Sequence, residues 1–154
     1  MIRLLRVDEK LLHGAVVFSW VDNLNIQSIL IADDEIANDK FMSMTFGLSK
    51  PSNVEMSILD LDSSMDFIKK HLNDSLQLMI IVGNLQAAGK IMNNFKEIKD
   101  LNVGYLHEFG KGTEVNEGVH LTDEEYDICK TLYQEGVKID LRQRYGDKPC
   151  FFKD

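Results

Sequence analysis

Short apolar runs alternate along this chain with segments of helical period, and this order constrains the fold more than any other feature. Brief apolar runs bounded by polar turns predict strands, and apolar residues recurring every three or four positions predict helices. We predict strands at 2–7, 26–33, 53–59, 76–82, 101–106 and 137–142. We predict helices between them, at 14–24, 35–48, 62–72, 85–97 and 122–135.

Regular alternation of strand and helix predicts a class of fold as well as its elements. Right-handed crossovers between successive strands produce an open, mainly parallel β-sheet with helices on both faces. The chain has 154 residues, of which 44% are hydrophobic, so we expect one α/β domain spanning 1–154. Segment 107–121 has no clear pattern, and long ordered loops often have a function.

Composition excludes several classes of protein. The formal net charge of −8 would repel a nucleic-acid backbone, so we expect no nucleic-acid partner. Cys129 and Cys150 are the only cysteines, and their spacing indicates neither a disulfide framework nor a zinc site. The longest apolar run, 78–82, is far shorter than the ~20 residues of a membrane-spanning helix. These features predict a cytoplasmic protein without an export signal.

The loop after the first predicted strand contains most of the residues suited to chemistry. Ligands of open α/β sheets bind beyond the carboxyl ends of the strands, and free amides at a helix start favour an anion. The loop reads RVDEKLLHGAV over 6–16. Its polar residues and the first two residues of the following helix are Arg6, Asp8, Glu9, Lys10, His13, Gly14 and Ala15.

His13 has two interpretations. An imidazole is a nucleophile toward phosphorus near neutral pH, and a neighbouring cation would compensate the charge of a phosphoryl group. However, His13 shares helical register with Val17 and Trp20, so residue types alone favour a core histidine over a catalyst. By the same argument, Arg6 can serve only an ion pair and Asp8 can only cap the loop.

A resemblance to a known family favours catalysis. RVDEKLLHGAV, followed by Trp20, resembles the sequence RIDDRLIHGQV plus tryptophan of enzyme IIB components in the mannose, fructose and sorbose family of the bacterial sugar phosphotransferase system. ADDEIANDK at 32–40, Pro51 and NVGYLHEFGKGTEV at 102–115 are also similar to family segments. The resemblance thus extends over most of the chain.

The resemblance implies a function and roles for individual residues. His13 would accept a phosphoryl group from a phosphohistidine on enzyme IIA and pass it to a sugar imported through membrane components IIC and IID. Such a protein is a protein-phosphohistidine–sugar phosphotransferase component, associated peripherally with its transporter. Arg6, Asp8 and Lys10 would assist catalysis, and the Gly14 and Ala15 amides would bind phosphate. We expect no metal and no diffusible cofactor.

The resemblance and the predicted topology also suggest where the partner binds. We expect IIA to contact the loop at 6–16 and the loop after the fifth strand, through Glu9, Tyr105, His107 and Lys111. His71 and His120 are expected to be solvated surface residues.

Departures from the family pattern leave two alternatives open. Lys10 replaces an arginine, Glu9 an aspartate and Ala15 a glutamine. The changes at Lys10 and Ala15 allow one alternative, a regulatory binding module that no longer transfers phosphate. A histidine-nucleophile phosphatase is the other, although such enzymes usually place arginine directly before the His-Gly pair, where this chain has Leu12.

Overall fold

A parallel β-sheet forms the centre of the structure, which is a computed structural model that describes residues 1–12 and 14–154. Among these residues the sheet has six strands in the order β3-β2-β4-β1-β5-β8, all paired in parallel. Its strands are β1 (Ile2–Asp8), β2 (Ser28–Ala32), β3 (Glu55–Leu59), β4 (Leu78–Val82), β5 (Asp100–Tyr105) and β8 (Lys138–Asp140).

Helices cover both faces of this sheet, as the sequence predicts. The described helices are α1 (Gly14–Asn23), α2 (Asp34–Ala37), α3 (Lys40–Ser49), α4 (Leu61–His71), α5 (Leu85–Asn94) and α6 (Asp123–Gln134). Apolar residues of α4, α5 and α6 pack with one face of the strands. Residues of α1, together with Ile36 of α2 and Phe46 of α3, pack with the other. The predicted α/β class with a mainly parallel sheet is therefore confirmed.

Two elements differ from the prediction because local hydrogen bonds decide them. The helix predicted at 35–48 is divided into α2 and α3, because the Asp39 carboxylate accepts a hydrogen bond from the Met42 amide at 3.0 Å and starts a new helix. Segment 107–121, predicted to lack regular structure, contains an antiparallel pair, β6 (Thr113–Asn116) and β7 (Val119–Leu121). Both strands are short, and β6 is largely polar, so neither has the apolar run of a central strand.

The segment after β8 crosses the α1 face of the sheet. The Gln143 carbonyl accepts a hydrogen bond from Trp20 Nε1 at 2.8 Å, and the Tyr145 ring packs edge-on against Trp20 with centroids 5.4 Å apart. The backbone then returns to β8, where Asp140 pairs with Phe151. This segment therefore connects the last strand of the sheet to helix α1.

Helix α3 exposes an apolar stripe to solvent. Phe41, Met44 and Leu48, spaced three and four residues apart, are 75%, 65% and 84% exposed. In contrast, Phe46 on the same helix packs against the core. None of the described helices is both long and apolar enough to cross a membrane.

Candidate functional site

The loop that the sequence analysis selected lies at the carboxyl edge of the sheet, beyond central strand β1. The chain leaves β1 toward β2 on one side, whereas it leaves neighbouring β5 toward β8 on the other. Adjacent strands whose connections diverge in this way leave a crevice, where open α/β sheets bind their ligands. The observed topology thus supports the position of the predicted site.

Arg6 lies beneath this loop, fully buried in β1. Its Nη2 donates to Asp8 Oδ2 at 2.8 Å, and its Nη1 donates to Asn102 Oδ1 at 2.5 Å and to the Gln143 carbonyl at 2.9 Å. Burial lowers the pKa of the Arg6 guanidinium below its ordinary value, although the Asp8 carboxylate opposes the shift. Arginine remains protonated throughout the physiological range, so Arg6 and Asp8 form a buried ion pair.

Asp8 transmits this arrangement to the loop backbone. Its Oδ1 accepts a hydrogen bond from the Lys10 amide at 2.8 Å, and its carbonyl accepts one from the Leu11 amide at 2.9 Å. Leu11 has a φ of +57°, in the left-handed region that non-glycine residues rarely adopt. A buried carboxylate and a strained turn therefore fix the backbone just before position 13.

His13, the predicted phosphoryl acceptor, lies outside the described residues. The description resumes at Gly14, which begins α1 with a φ of +47° that favours glycine. Gly14 and Ala15, the predicted phosphate-binding residues, are both exposed. The first amides of an α-helix have no partner within the helix, so this exposed first turn can donate hydrogen bonds to an anion.

Lys10 is the exposed cation of the loop. Its Nζ lies 4.5 Å from the centroid of the Tyr105 ring, and a hydrogen bond with Tyr105 raises the pKa of Lys10 above its ordinary value. The Tyr105 hydroxyl donates to the Glu108 carboxylate, and this hydrogen bond raises the pKa of Tyr105. Lys10 therefore carries its charge at neutral pH and is held over the end of β5.

His107 connects the second predicted loop to the first. Its Nε2 lies 2.9 Å from Glu125 Oε2, and its Nδ1 lies 3.8 Å from Glu9 Oε2. Glu125 is buried, and its other oxygen accepts a hydrogen bond from the Thr122 amide at the start of α6. His107 thus lies between the loop after β1 and helix α6.

The two loops form the walls of one groove with a volume of about 430 Å³. Phe109 lies at its rim with 89% of its surface exposed. Both predicted loops therefore meet at one site, including every residue predicted to contact a partner. The residues that line the groove are Glu9, Lys10, Tyr105, His107, Glu108, Phe109 and Lys111.

Sequence reasoning did not identify several residues around the site. Asn102 and Gln143 hold Arg6, Glu108 pairs with Tyr105, and Glu125 pairs with His107. Asn102 had a detectable signal, because it is a polar residue inside an otherwise apolar strand and such residues need hydrogen-bond partners. Gln143 contributes only a backbone carbonyl, which no side-chain pattern reveals.

The remaining histidines lie elsewhere, and their surroundings differ from the prediction of solvated surface residues. The His71 Nδ1 lies 2.5 Å from Asp74 Oδ2, and its ring packs against Phe67 with centroids 4.8 Å apart. His120 is half-buried, and its Nδ1 is shielded from solvent. Both rings pack more closely against the protein than the sequence suggested.

Comparisons with known proteins agree over the whole chain. A family model described as the PTS system sorbose subfamily IIB component matches residues 2–153. The chain is 24% identical over 144 residues to the PTS system fructose-specific EIIB component of Bacillus subtilis (strain 168), covering 94% of this chain and 88% of the relative. It is also 24% identical over 144 residues to the PTS system mannose-specific EIIAB component of Escherichia coli (strain K12), covering 93% of this chain and 44% of that longer protein.

Solved structures share the same fold. The crystal structure of the PTS system N-acetylgalactosamine-specific IIB component 1 from Escherichia coli superposes with a TM-score of 0.90 at 21% identity, over 99% of this chain and 100% of that chain. The strand order and helical layers described above are therefore those of a solved IIB component. The family match over nearly every residue leads to the same conclusion: the chain belongs to the sorbose subfamily of phosphotransferase-system IIB components.

Proposed function

We propose that this IIB component is a phosphocarrier in which His13 accepts a phosphoryl group from the phosphohistidine of an enzyme IIA and donates it to a sugar. One observation carries the proposal. The backbone before position 13 is fixed by the buried Arg6–Asp8 pair, and it faces a groove in which Lys10 is an exposed cation. Phosphoryl transfer depends on positioning and charge compensation, and this arrangement can supply both.

The proposed transfer exchanges one phosphorus–nitrogen bond for another. The neutral imidazole of His13 attacks phosphorus in line with the donor nitrogen, whose bond to phosphorus breaks and whose electron pair returns to the donor ring. Negative charge on the equatorial oxygens is stabilised by Lys10 and by the free amides of Gly14 and Ala15. In the second transfer, a sugar hydroxyl oxygen attacks the phosphorus, the bond from phosphorus to the His13 nitrogen breaks with its electron pair returning to the ring, and the hydroxyl proton passes to solvent.

The proposed partners follow from the groove and from the family. IIA binds over the groove through Glu9, Tyr105, His107 and Lys111, while membrane components IIC and IID bring the sugar to the phosphorylated protein. The name of the mannose-specific relative, an EIIAB component, supports a IIA partner. The protein would then work in the cytoplasm, next to its transporter. Chemical-shift changes on IIA addition confined to the opposite edge of the sheet would contradict this docking site.

Labelling with phosphorylated IIA tests the proposed function. Stable, acid-labile phosphate on the parent protein supports the carrier, release of inorganic phosphate supports a phosphatase, and the absence of labelling supports a binding module. His13→Ala should abolish labelling without unfolding the protein. His71→Ala and His120→Ala are matched controls, because each removes a histidine outside the groove, and both should label at the parent rate.

A further inference from the structure

Asn102 is fully buried in β5, between the strand that precedes the site and the last strand of the sheet. In the sheet register it pairs with Arg6 of β1 on one side and with Asp140 of β8 on the other. Its amide group makes a hydrogen bond in each direction. Oδ1 accepts from Arg6 Nη1 at 2.5 Å, while Nδ2 donates to the carbonyls of Asp140 and Arg142 at 3.0 and 2.9 Å.

The orientation of this amide is fixed by its neighbours. A guanidinium only donates hydrogen bonds and a backbone carbonyl only accepts them. Reversing the amide would place its NH₂ group against Arg6 and its oxygen against two carbonyl oxygens, which would lose all three hydrogen bonds. Asn102 therefore presents a fixed acceptor to the buried side of Arg6.

The backbone of β5 leaves just enough room for the guanidinium that Asn102 holds. A Cβ atom on Gly104 would overlap the Arg6 guanidinium, so only glycine at this position allows the observed placement of Arg6. From Arg6 the hydrogen bonds continue to Asp8 Oδ2, and from Asp8 Oδ1 to the Lys10 amide. A continuous series of buried contacts thus connects Asn102 to the loop backbone.

We propose that Asn102 is a positioning residue for phosphoryl transfer, and that Gly104 provides the space it requires. Asn102 orients Arg6, Arg6 orients Asp8, and Asp8 holds the loop at the geometry needed for in-line attack. The inference rests on the proposed function of the loop. It gives β5 a role in the reaction, through the position of the loop. Small shifts of the loop matter because displacing a reacting group by about 1 Å can lower the rate roughly 100-fold.

Asn116 provides a matched control. Its Nδ2 donates to the Leu141 carbonyl at 2.8 Å, so it holds the same segment after β8 that Asn102 holds. Arg6 donates to Asn102 and to Gln143, and the contacts of Asn116 do not include it. Asn102→Ala and Asn116→Ala therefore both loosen this segment, whereas only Asn102→Ala releases Arg6.

The experiment measures the rate of labelling by phosphorylated IIA at low and saturating donor concentration, with urea unfolding as a check on the fold. Asn102→Ala should lower the maximal rate by about 10- to 100-fold, with a smaller change in the apparent KM, because geometry rather than docking is lost. Asn116→Ala should label at the parent rate. Asn102→Asp keeps an acceptor for Arg6 and should label faster than Asn102→Ala. If either Asn102 variant fails to fold, Gly104→Ala displaces Arg6 by a different route and should show the same loss of maximal rate.

A second measurement separates this inference from the proposed function. The Lys10 amide resonance reports its hydrogen bond to Asp8, and it should shift in Asn102→Ala but not in Asn116→Ala. If the parent protein does not label, the proposed function fails, whereas the Lys10 resonance still decides whether Asn102 positions the loop. The inference is overturned if folded Asn102→Ala labels at the parent rate, if Asn116→Ala loses as much rate, or if the Lys10 resonance is unchanged.

Discussion

Two arginine–aspartate pairs lie on either side of Asn102, and they differ mainly in burial. Arg6 and Asp8 have fully buried side chains, whereas those of Arg142 and Asp140 are 15% and 12% exposed. Burial lowers the pKa of Arg6, but a hydrogen bond from Arg142 to Asp140 raises the pKa of Arg142. Desolvation therefore has the larger effect on the arginine pKa in the buried pair, whereas attraction to the aspartate has the larger effect in the partly exposed pair.

This difference indicates what each pair does. A buried pair is costly to form and still more costly to break, so it specifies one arrangement of the loop above it. The Asp140–Arg142 pair has three hydrogen bonds from the guanidinium to the carboxylate and stacks near Trp20, yet solvent reaches it. It supports the end of β8 and the segment that follows, through a further hydrogen bond from Arg142 to the Tyr145 carbonyl.

The largest effect on stability is expected from Arg6→Met. The substitution removes the guanidinium that is paired with the buried Asp8 carboxylate, and breaking a buried ion pair costs about 3–5 kcal/mol in the free energy of unfolding. Urea unfolding measures this loss. The double variant Arg6→Met/Asp8→Leu removes both charges and should recover part of it. A loss below about 1 kcal/mol for the single variant would place Arg6 and Asp8 in the same class as a surface pair.

Lys10→Gln should change the rate and leave the fold unchanged. Lys10 is the exposed cation of the same loop, and loss of one preorganised electrostatic donor slows labelling of His13 by roughly 10²- to 10³-fold. The free energy of unfolding should stay close to that of the parent, because an exposed loop lysine contributes little to folding. Lys10→Arg should keep or raise the rate, because the planar guanidinium can bind phosphate with two parallel hydrogen bonds. Equal rates for all three proteins would remove Lys10 from the mechanism.

Arg142→Gln should have a modest effect on stability. The pair is partly solvated, and its stacking near Trp20 and Tyr145 adds little, so we expect a loss of about 1 kcal/mol. Urea unfolding of Arg142→Gln and Arg6→Met in parallel compares their losses in the free energy of unfolding directly. If the two variants lost equal stability, burial would not be what distinguishes the two pairs.

The smallest effect is expected at Asp74, an exposed carboxylate far from the site. A hydrogen bond with His71 lowers the pKa of Asp74 to about 2. Because the folded pKa lies below the ordinary value, this contribution is present above about pH 4 and is lost as pH falls toward 2. Asp74→Asn should therefore be slightly less stable than the parent at pH 6, and the gap should narrow below pH 4. A gap that stays constant from pH 6 to pH 3 would contradict the assignment.

The strands were predictable because their residues are apolar in unbroken runs. Residues 78–82 are all fully buried, which matches the most continuous apolar run in the chain. The β6–β7 pair was missed because its strands have only four and three residues, and neither contains the long apolar run that predicts a strand. The boundary between α2 and α3 depends on a single Asp39 cap, which residue types alone do not distinguish from a surface aspartate.

The position of the candidate groove was predictable from the sequence, but its internal arrangement was not. The loop at 6–16 and the residues at 105–111 were both selected from sequence, and they line one groove. The sequence does not distinguish an arginine that contacts phosphate from one buried beneath a loop. The structure places Arg6 in the second position, because Gly104 and Asn102, 98 and 96 residues further along the chain, provide its space and its acceptor.

The hydrogen bond from Arg6 to the Gln143 carbonyl joins two distant parts of the chain, and this separation affects folding during synthesis. Its two ends are 137 residues apart, and Trp20 uses the same carbonyl across 123 residues. Contacts of such separation form late, and a chain emerging from the ribosome can make them only after Gln143 has been translated. The nascent protein would therefore hold the loop after β1 without this support until Gln143 has been synthesised and can reach the α1 face of the sheet.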